Sequence, residues 1–393
     1  MSENDGADAA DVIERLDELE ARLDPEADLE PMSPEAAREE WLARLDDRSD
    51  STIRSYRDRT VHFLRFCAAH DIENLNDLTT RHMKAYESGR ISDGLDVSTR
   101  KNEWGTLQRF LEYCEDLDAV TSDVPDALDV PSPTKEERIN TEKLPIERAE
   151  TILENLKRYR YATREHVTFL LFWRTTMRLG ALHSLDVQDV YLEEADLKRL
   201  RRDYEEEGYA PSVVEKMLER AETPFVFPRN RPATGTRLKN GVEGERVINL
   251  ADEVGEIVAD YLRVNRADIE DEHGRSPLLS SQKGDGRLSK SAIRNWMYVL
   301  TQPCEFGDEC PHDRDPETCE AREHGYGNKC PSARSPHKIR TGSFTWHRDR
   351  GWPRRDLEAK ANTTEIDVYD QPEHLTRAAG RRDLLDRLDE DDE

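Results

Sequence analysis

From residue 33 to about residue 130 the apolar positions recur with a helical period. The stretch SPEAAREEWLARLDDR opens with Ser33 before Pro34, an N-cap followed by proline at the first helical position. SDSTIRSYRDRTVHFLRFCAAHDI follows, with Ile53, Tyr56, Val61, Phe63, Leu64 and Cys67 as the candidate buried face. VSTRKNEWGTLQRFLEYCEDLDAV predicts a further helix, with Trp104, Leu107, Phe110 and Leu111 on one side. These segments predict a compact helical domain over 33–130. Ahead of it, 1–32 reads as an acidic tail with one short helix striped by Ile13, Leu16, Leu19 and Leu23. That stripe is expected to dock on the body of the chain, with a second subunit as the alternative.

The pattern then breaks. Pro125, Pro131, Pro133 and Pro145 cannot continue a helix, and 131–145 reads as a linker. A larger second domain is expected over 146–385, with a cysteine-rich insert at 302–335 and an acidic tail at 386–393. It is helical except where TPFVFPRN and ERVINLA combine β-branched and aromatic residues with turn signals, which predicts a small sheet. The expected class is mainly α with a small antiparallel β-sheet in the second domain.

Charge changes this picture more than composition does. The formal net charge is −27. Phosphate binding ordinarily calls for a basic footprint, so the sum argues against a nucleic-acid partner. Yet Pro331 to Arg355 carries seven Lys/Arg against one acid, Asp349. Arginine outnumbers lysine 45 to 13, a balance resembling that of proteins from salt-loving organisms, whose acidic coats maintain solubility. A local cationic patch is then the informative exception. No apolar run reaches the roughly 18 residues a spanning helix needs. The first thirty residues hold twelve acids, two arginines and no apolar signal core, so a cytoplasmic location is expected.

Three stretches carry candidate chemistry. In LLFWRTTMRLGALHSLDVQDV, Arg178 stands at a helix break between apolar residues, where it must snorkel out, fill a polar pocket or pair with a nearby Asp. In SPHKIRTGSFTWHRDRGWP, Pro336 supports a helix start, and His337 and Arg340 lie one turn apart, an arrangement suited to phosphate. Downstream, DVYDQP supplies Tyr369 near a break at Pro372. A phenol attacks phosphorus only where cations have neutralised the phosphate. On the helical domain, Arg54, Arg57, Arg100 and Lys101 are candidate DNA-phosphate contacts, and solvated surface charge is the alternative for each.

The order of these pieces resembles the tyrosine recombinase (phage integrase) family, particularly its integrase-like members from halophilic archaea. Arg178 matches the family's first arginine, His337 and Arg340 its His-x-x-Arg, and Tyr369 its nucleophile. LKNGVEGERVINL resembles the hairpin bearing the family's lysine, which is Lys239 here. The resemblance implies a helical core-binding domain and a catalytic domain. It implies cleavage and rejoining of double-stranded DNA through a 3′-phosphotyrosine, without a catalytic cofactor, by a homo-tetramer on DNA. By the same resemblance Arg178 and Arg340 bind the phosphate, Lys239 protonates the leaving oxygen and His337 assists. Three features depart from the family pattern. Ala181 replaces an acid, the second His/Trp is replaced by Lys360 or Asn362, and Gly351 to Tyr369 is about three residues short. A DNA-binding protein of the same fold that does not cut is the alternative.

Cys304, Cys310, Cys319 and Cys330, with His312 and His324 nearby, satisfy a structural zinc site by ligand type. The intervals of five, eight and ten residues between the cysteines are not paired Cys-x-x-Cys, so reduced cysteines or a redox switch are the alternatives.

Overall fold

In the computed structural model, which describes residues 29–46, 48–134, 137, 142–307 and 309–364, the Ser33 hydroxyl caps helix α1 (Pro34–Ala43) through Ala36 N. Three more capped helices follow in the first unit: α2 (Asp50–Ala69) behind Ser49, α3 (Thr80–Ser92) behind Thr79 and α4 (Val97–Glu115) behind Asp96. Their apolar faces meet around Trp41, Phe63, Tyr86, Trp104 and Phe110. Within that core Glu103 accepts from Tyr86 Oη at 2.6 Å and from Arg90 through two nitrogens at 2.7 Å. Phe63, Leu64 and Cys67 are buried as expected, whereas Ile53, Tyr56 and Val61 are half-buried. The expected N-terminal helix, the C-terminal tail and Tyr369 lie outside the described residues.

The chain divides into two compact units, Met1–Ile139 and Asn140–Glu393. The second unit begins with α5 (Ile146–Tyr159) and α6 (Arg164–Thr175), whose residues Val167 to Trp173 are all buried. The short α7 (Leu179–Ser184) leads into strand β1 (Val190–Tyr191). After α8 (Leu197–Glu206) and α9 (Pro211–Leu218) come β2 (Phe225–Val226) and β3 (Ile248–Asn249). The sheet is antiparallel in the order β1-β2-β3, with Val190 opposite Val226 and Val226 opposite Ile248. The sequence pattern located β2 and β3; β1 is an addition, two residues long inside an acidic stretch. Helices α10 (Asp252–Asp260), α11 (Lys290–Leu300), α12 (Pro336–Asp349) and α13 (Arg354–Ala361) follow, with short helical turns between them.

Two contacts fix the elements that matter for function. Helix α12 presses on α6, where Ser343 Oγ donates to Trp173 O at 2.5 Å, and it meets Leu144, whose N–H donates to Lys338 O at 3.1 Å. Near β1 a buried ion network locks the loops: Arg231 grips Asp189 with two bonds of 2.8 and 2.6 Å, while Arg287 bonds to both Asp186 and Asp271. Each carboxylate is desolvated and each is paired, as burial of charge requires.

Candidate active site

Helix α6 ends because Thr176 adopts a left-handed conformation, φ +54°, uncommon for a β-branched residue. Its carbonyl accepts from Arg340 Nη1. The reversed backbone leads to Arg178, which occupies the N-cap position of α7 in an extended conformation. Asp186 and Asp189, the acids close by in sequence, are engaged by Arg231 and Arg287. Among the described residues Arg178 has no carboxylate partner; its Nη1 donates to Asn362 O at 2.6 Å.

Ser335 caps α12 and Pro336 opens it, so His337 lies in the first turn and Arg340 one turn on. Arg340 is 2 % exposed, lies over the Phe344 ring at 5.0 Å and donates through Nη2 to Ala361 O at 3.0 Å. His337 keeps an open face, and Lys239 is exposed on the turn that precedes β3. Desolvation by the cleft walls, reinforced by Arg340, Lys239 and Arg178, pulls the His337 pKa below its ordinary 6.5. The imidazole is therefore neutral near pH 7 and able to accept a proton.

Arg178, Lys239, His337 and Arg340 line one open cleft of roughly 450 Å³, together with Arg246, Arg294, Asn240 and Asn362. No Asp or Glu lines it among the described residues. In a chain of net charge −27, a cleft holding five Lys/Arg and one His without an acid is built for an anion. Sequence reasoning did not single out Arg246, which sits in a charged stretch and reads as solvated surface, or Arg294, a lone arginine on α11 that reads the same way.

The two residues offered in place of the second His/Trp separate in space. Lys360 turns away from the cleft, its Nζ 3.4 Å from His347 Nε2 and 4.3 Å from the Trp352 ring centroid. Burial lowers its pKa to about 8. Asn362 ends α13 in a left-handed conformation and lines the cleft.

The remaining candidates lie elsewhere. Arg54 and Arg57 sit on α2 and Arg100 and Lys101 at the start of α4, all in the first unit. Arg57 pairs with Glu39 at 2.5 Å, Arg100 stacks over Trp104 at 5.8 Å, and Arg54 and Lys101 are exposed. Cys304, Cys310, Cys319 and Cys330 are free and half-buried. They stand on separate short turns and connecting loops, and among the described residues no group of three or more His, Cys, Asp or Glu is placed to hold a metal ion. Cys304 nevertheless lies within electrostatic reach of Cys310 and Cys330, and Arg322 within reach of Cys304 and Cys319.

Comparison with known proteins places this geometry in context. Residues 39–116 match the family model described as "Phage integrase, N-terminal SAM-like domain". A solved N-terminal domain of a phage integrase/site-specific recombinase from Haloarcula marismortui is 34% identical over 26% of this chain and 99% of that one, with a TM-score of 0.25. A lambda integrase dimer bound to a COC′ core site aligns over 90% of this chain and 80% of that chain, at 12% identity and TM-score 0.56. The Tn1549 transposon integrase in complex with transposon right end DNA aligns over 91% and 99%, at 14% identity and TM-score 0.55. Among curated protein sequences none matches. No helix among the described residues is long and apolar enough to cross a membrane.

Proposed function

The chain belongs to the tyrosine recombinase (phage integrase) family, and from that premise we propose that it is a site-specific DNA recombinase that cuts and rejoins double-stranded DNA through Tyr369. The observation that carries this reading is the acid-free cleft in which Arg178, Lys239, His337 and Arg340 converge. A phosphodiester in the cleft meets the two guanidiniums, which bind its non-bridging oxygens and offset the charge that grows in the transition state. Tyr369 Oη attacks phosphorus and its proton passes to the neutral His337. The bond to the 5′ oxygen breaks with its electron pair on that oxygen, which takes a proton from Lys239 Nζ. A 3′-phosphotyrosine and a free 5′-hydroxyl result, and the reverse steps rejoin the strand.

Arg54, Arg57, Arg100 and Lys101 are proposed phosphate contacts that add affinity without reading sequence. Lambda integrase has been solved as a tetramer bound to a Holliday junction, and a tetramer on DNA is the assembly proposed for this chain. The second reading, a binder that does not cut, draws on the short interval between Gly351 and Tyr369.

A nicked suicide duplex separates the two. Wild type is expected to form a protein–DNA adduct stable to denaturation, with Tyr369→Phe and Arg340→Ala forming none while still shifting the duplex in a gel. Binding without an adduct from wild type would establish the non-cutting reading.

A further inference from the structure

The turn that carries Lys239 is exposed at its tip and held at its base. Lys239 and Asn240 are exposed, Val242 is 71 % exposed, and the strand that follows, β3, is two residues long. Leu238 and Gly244 anchor its base: Leu238 N donates to Asn230 Oδ1 at 2.9 Å, and a β-carbon on Gly244 would stand 3.1 Å from Leu238 Cβ. Within the turn Gly241 N donates to Leu238 O at 3.2 Å and Glu245 N to Val242 O at 2.9 Å, and Glu245 Oε1 accepts from Asn230 N at 2.7 Å; the ties to the rest of the cleft come from outside.

Arg246 supplies the fastening. Its Nη1 donates to Gly244 O at 2.9 Å and its Nε to Lys360 O at 2.6 Å, joining the lysine loop to the C-terminal end of α13 across 114 residues of sequence. Asn362, one residue past that helix, makes a second link. Its Oδ1 accepts from Asn240 Nδ2 at 3.0 Å, and its Nδ2 donates to Glu243 O at 2.9 Å. The same helix end receives Arg340 at Ala361 O and Arg178 at Asn362 O. Three successive carbonyls, at 360, 361 and 362, thus each take one arginine of the cleft, at the negative end of the helix dipole.

Stability alone is a poor account of Arg246. Among the described residues it has no carboxylate partner, and burial, with Arg178 nearby, pulls its pKa down to about 10. A guanidinium desolvated beside another cation and satisfied only by carbonyls is costly to place. The expense falls where the loop of the proton donor meets the helix from which the chain reaches Tyr369 eight residues later.

We propose that Arg246 is a positioning residue for proton transfer: by tying the Lys239 loop to the end of α13, it holds the lysine ammonium where the departing 5′ oxygen emerges. The proposal rests on the recombinase reading above. Arg246 then serves leaving-group departure, whereas phosphate binding belongs to Arg178 and Arg340. Losing it should leave DNA affinity nearly intact and slow the cleavage step.

The test compares two suicide substrates, one with the normal 5′ oxygen at the scissile position and one with sulfur bridging there. A thiolate leaves without a proton, so the sulfur substrate bypasses any defect in proton donation. With the full-length chain, Arg246→Ala and Lys239→Ala are each expected to slow adduct formation on the oxygen substrate by roughly 10- to 100-fold. Both should return to within about 3-fold of wild type on the sulfur substrate, with DNA affinity changed by less than about 3-fold. Arg246→Lys, whose single ammonium reaches one carbonyl at a time, should fall between Ala and wild type; it gives the same readout if the Ala variant does not fold. An Arg246 variant equally slow on both substrates, or as fast as wild type on oxygen, overturns the proposal. If wild type forms no adduct on either substrate, the recombinase reading fails and takes this proposal with it, an outcome distinguished by the silence of wild type itself.

Discussion

Replacing Gly342 by Ala in the middle of α12 should destabilise the protein, against the ordinary rule for helices. In an open helix interior this change contributes about 1 kcal/mol of stability, because glycine loses more backbone freedom on folding. Here the added β-carbon would overlap Leu144 O and stand 3.1 Å from Trp173 Cζ3. Neither neighbour is free to retreat, since Leu144 and Trp173 are fully buried and Leu144 N is bonded to Lys338 O at 3.1 Å. Overpacking of a tight core costs about 1–3 kcal/mol. Set against the propensity gain, the net loss is up to about 2 kcal/mol, and toward that upper end because the closest obstacle is a backbone carbonyl. The strain also pushes α12 off α6 and displaces His337 and Arg340, so adduct formation should fall with stability. Urea unfolding followed by tryptophan fluorescence reads the first effect. Gly89→Ala is the control: it lies in α3 with nothing within 4 Å of its added carbon, and should stabilise by about 1 kcal/mol. A Gly342→Ala midpoint equal to or above wild type would refute the argument.

His347 predicts acid lability. Burial, with Lys360 beside it, holds its pKa at about 3, against 6.5 when unfolded. The unfolded chain therefore takes up the proton first, so stability falls as pH drops from 6.5 toward 3, by about 2 kcal/mol at about pH 5 from this group. A His347→Gln variant should show a flatter stability–pH slope over that window, and an unchanged slope would contradict the assignment. Glu103→Ala strands Arg90 in the first unit's core and should cost about 3 kcal/mol in urea unfolding, whereas a loss below about 1 would show that Asp93 and water suffice for Arg90. Cys67 and Cys114 are buried with pKa pushed up to about 12, so a native thiol titration should count four reactive cysteines, and six only after denaturation. Fast modification of either buried thiol would count against this packing.

Local signals carried much of the fold. Ser33-Pro34 announced α1, the β-branched and aromatic residues between turn signals in TPFVFPRN and ERVINLA announced β2 and β3, and Pro336 announced the start of α12. Strand β1 escaped because two residues cannot establish a period and its neighbours in sequence are acidic. In the candidate site, Arg178 was legible because a cation between apolar residues needs a reason, and His337 and Arg340 because they share one helical turn. Arg246 was not legible: VEGERV reads as surface, and only a carbonyl 114 residues away reveals its position. The separation of Lys360 from Asn362 was equally hidden, since it depends on how α13 ends.

The central claim is that this cleft cuts DNA with Tyr369, and the most direct test is to identify the linked atoms. Wild-type protein trapped on a nicked suicide duplex would be digested with trypsin and nuclease and the crosslinked peptide sequenced by mass spectrometry. The account predicts a single modified peptide, carrying nucleotide on Tyr369 through a 3′ phosphate, with a free 5′-hydroxyl on the released strand. A link through another residue, or through a 5′ phosphate, would contradict it.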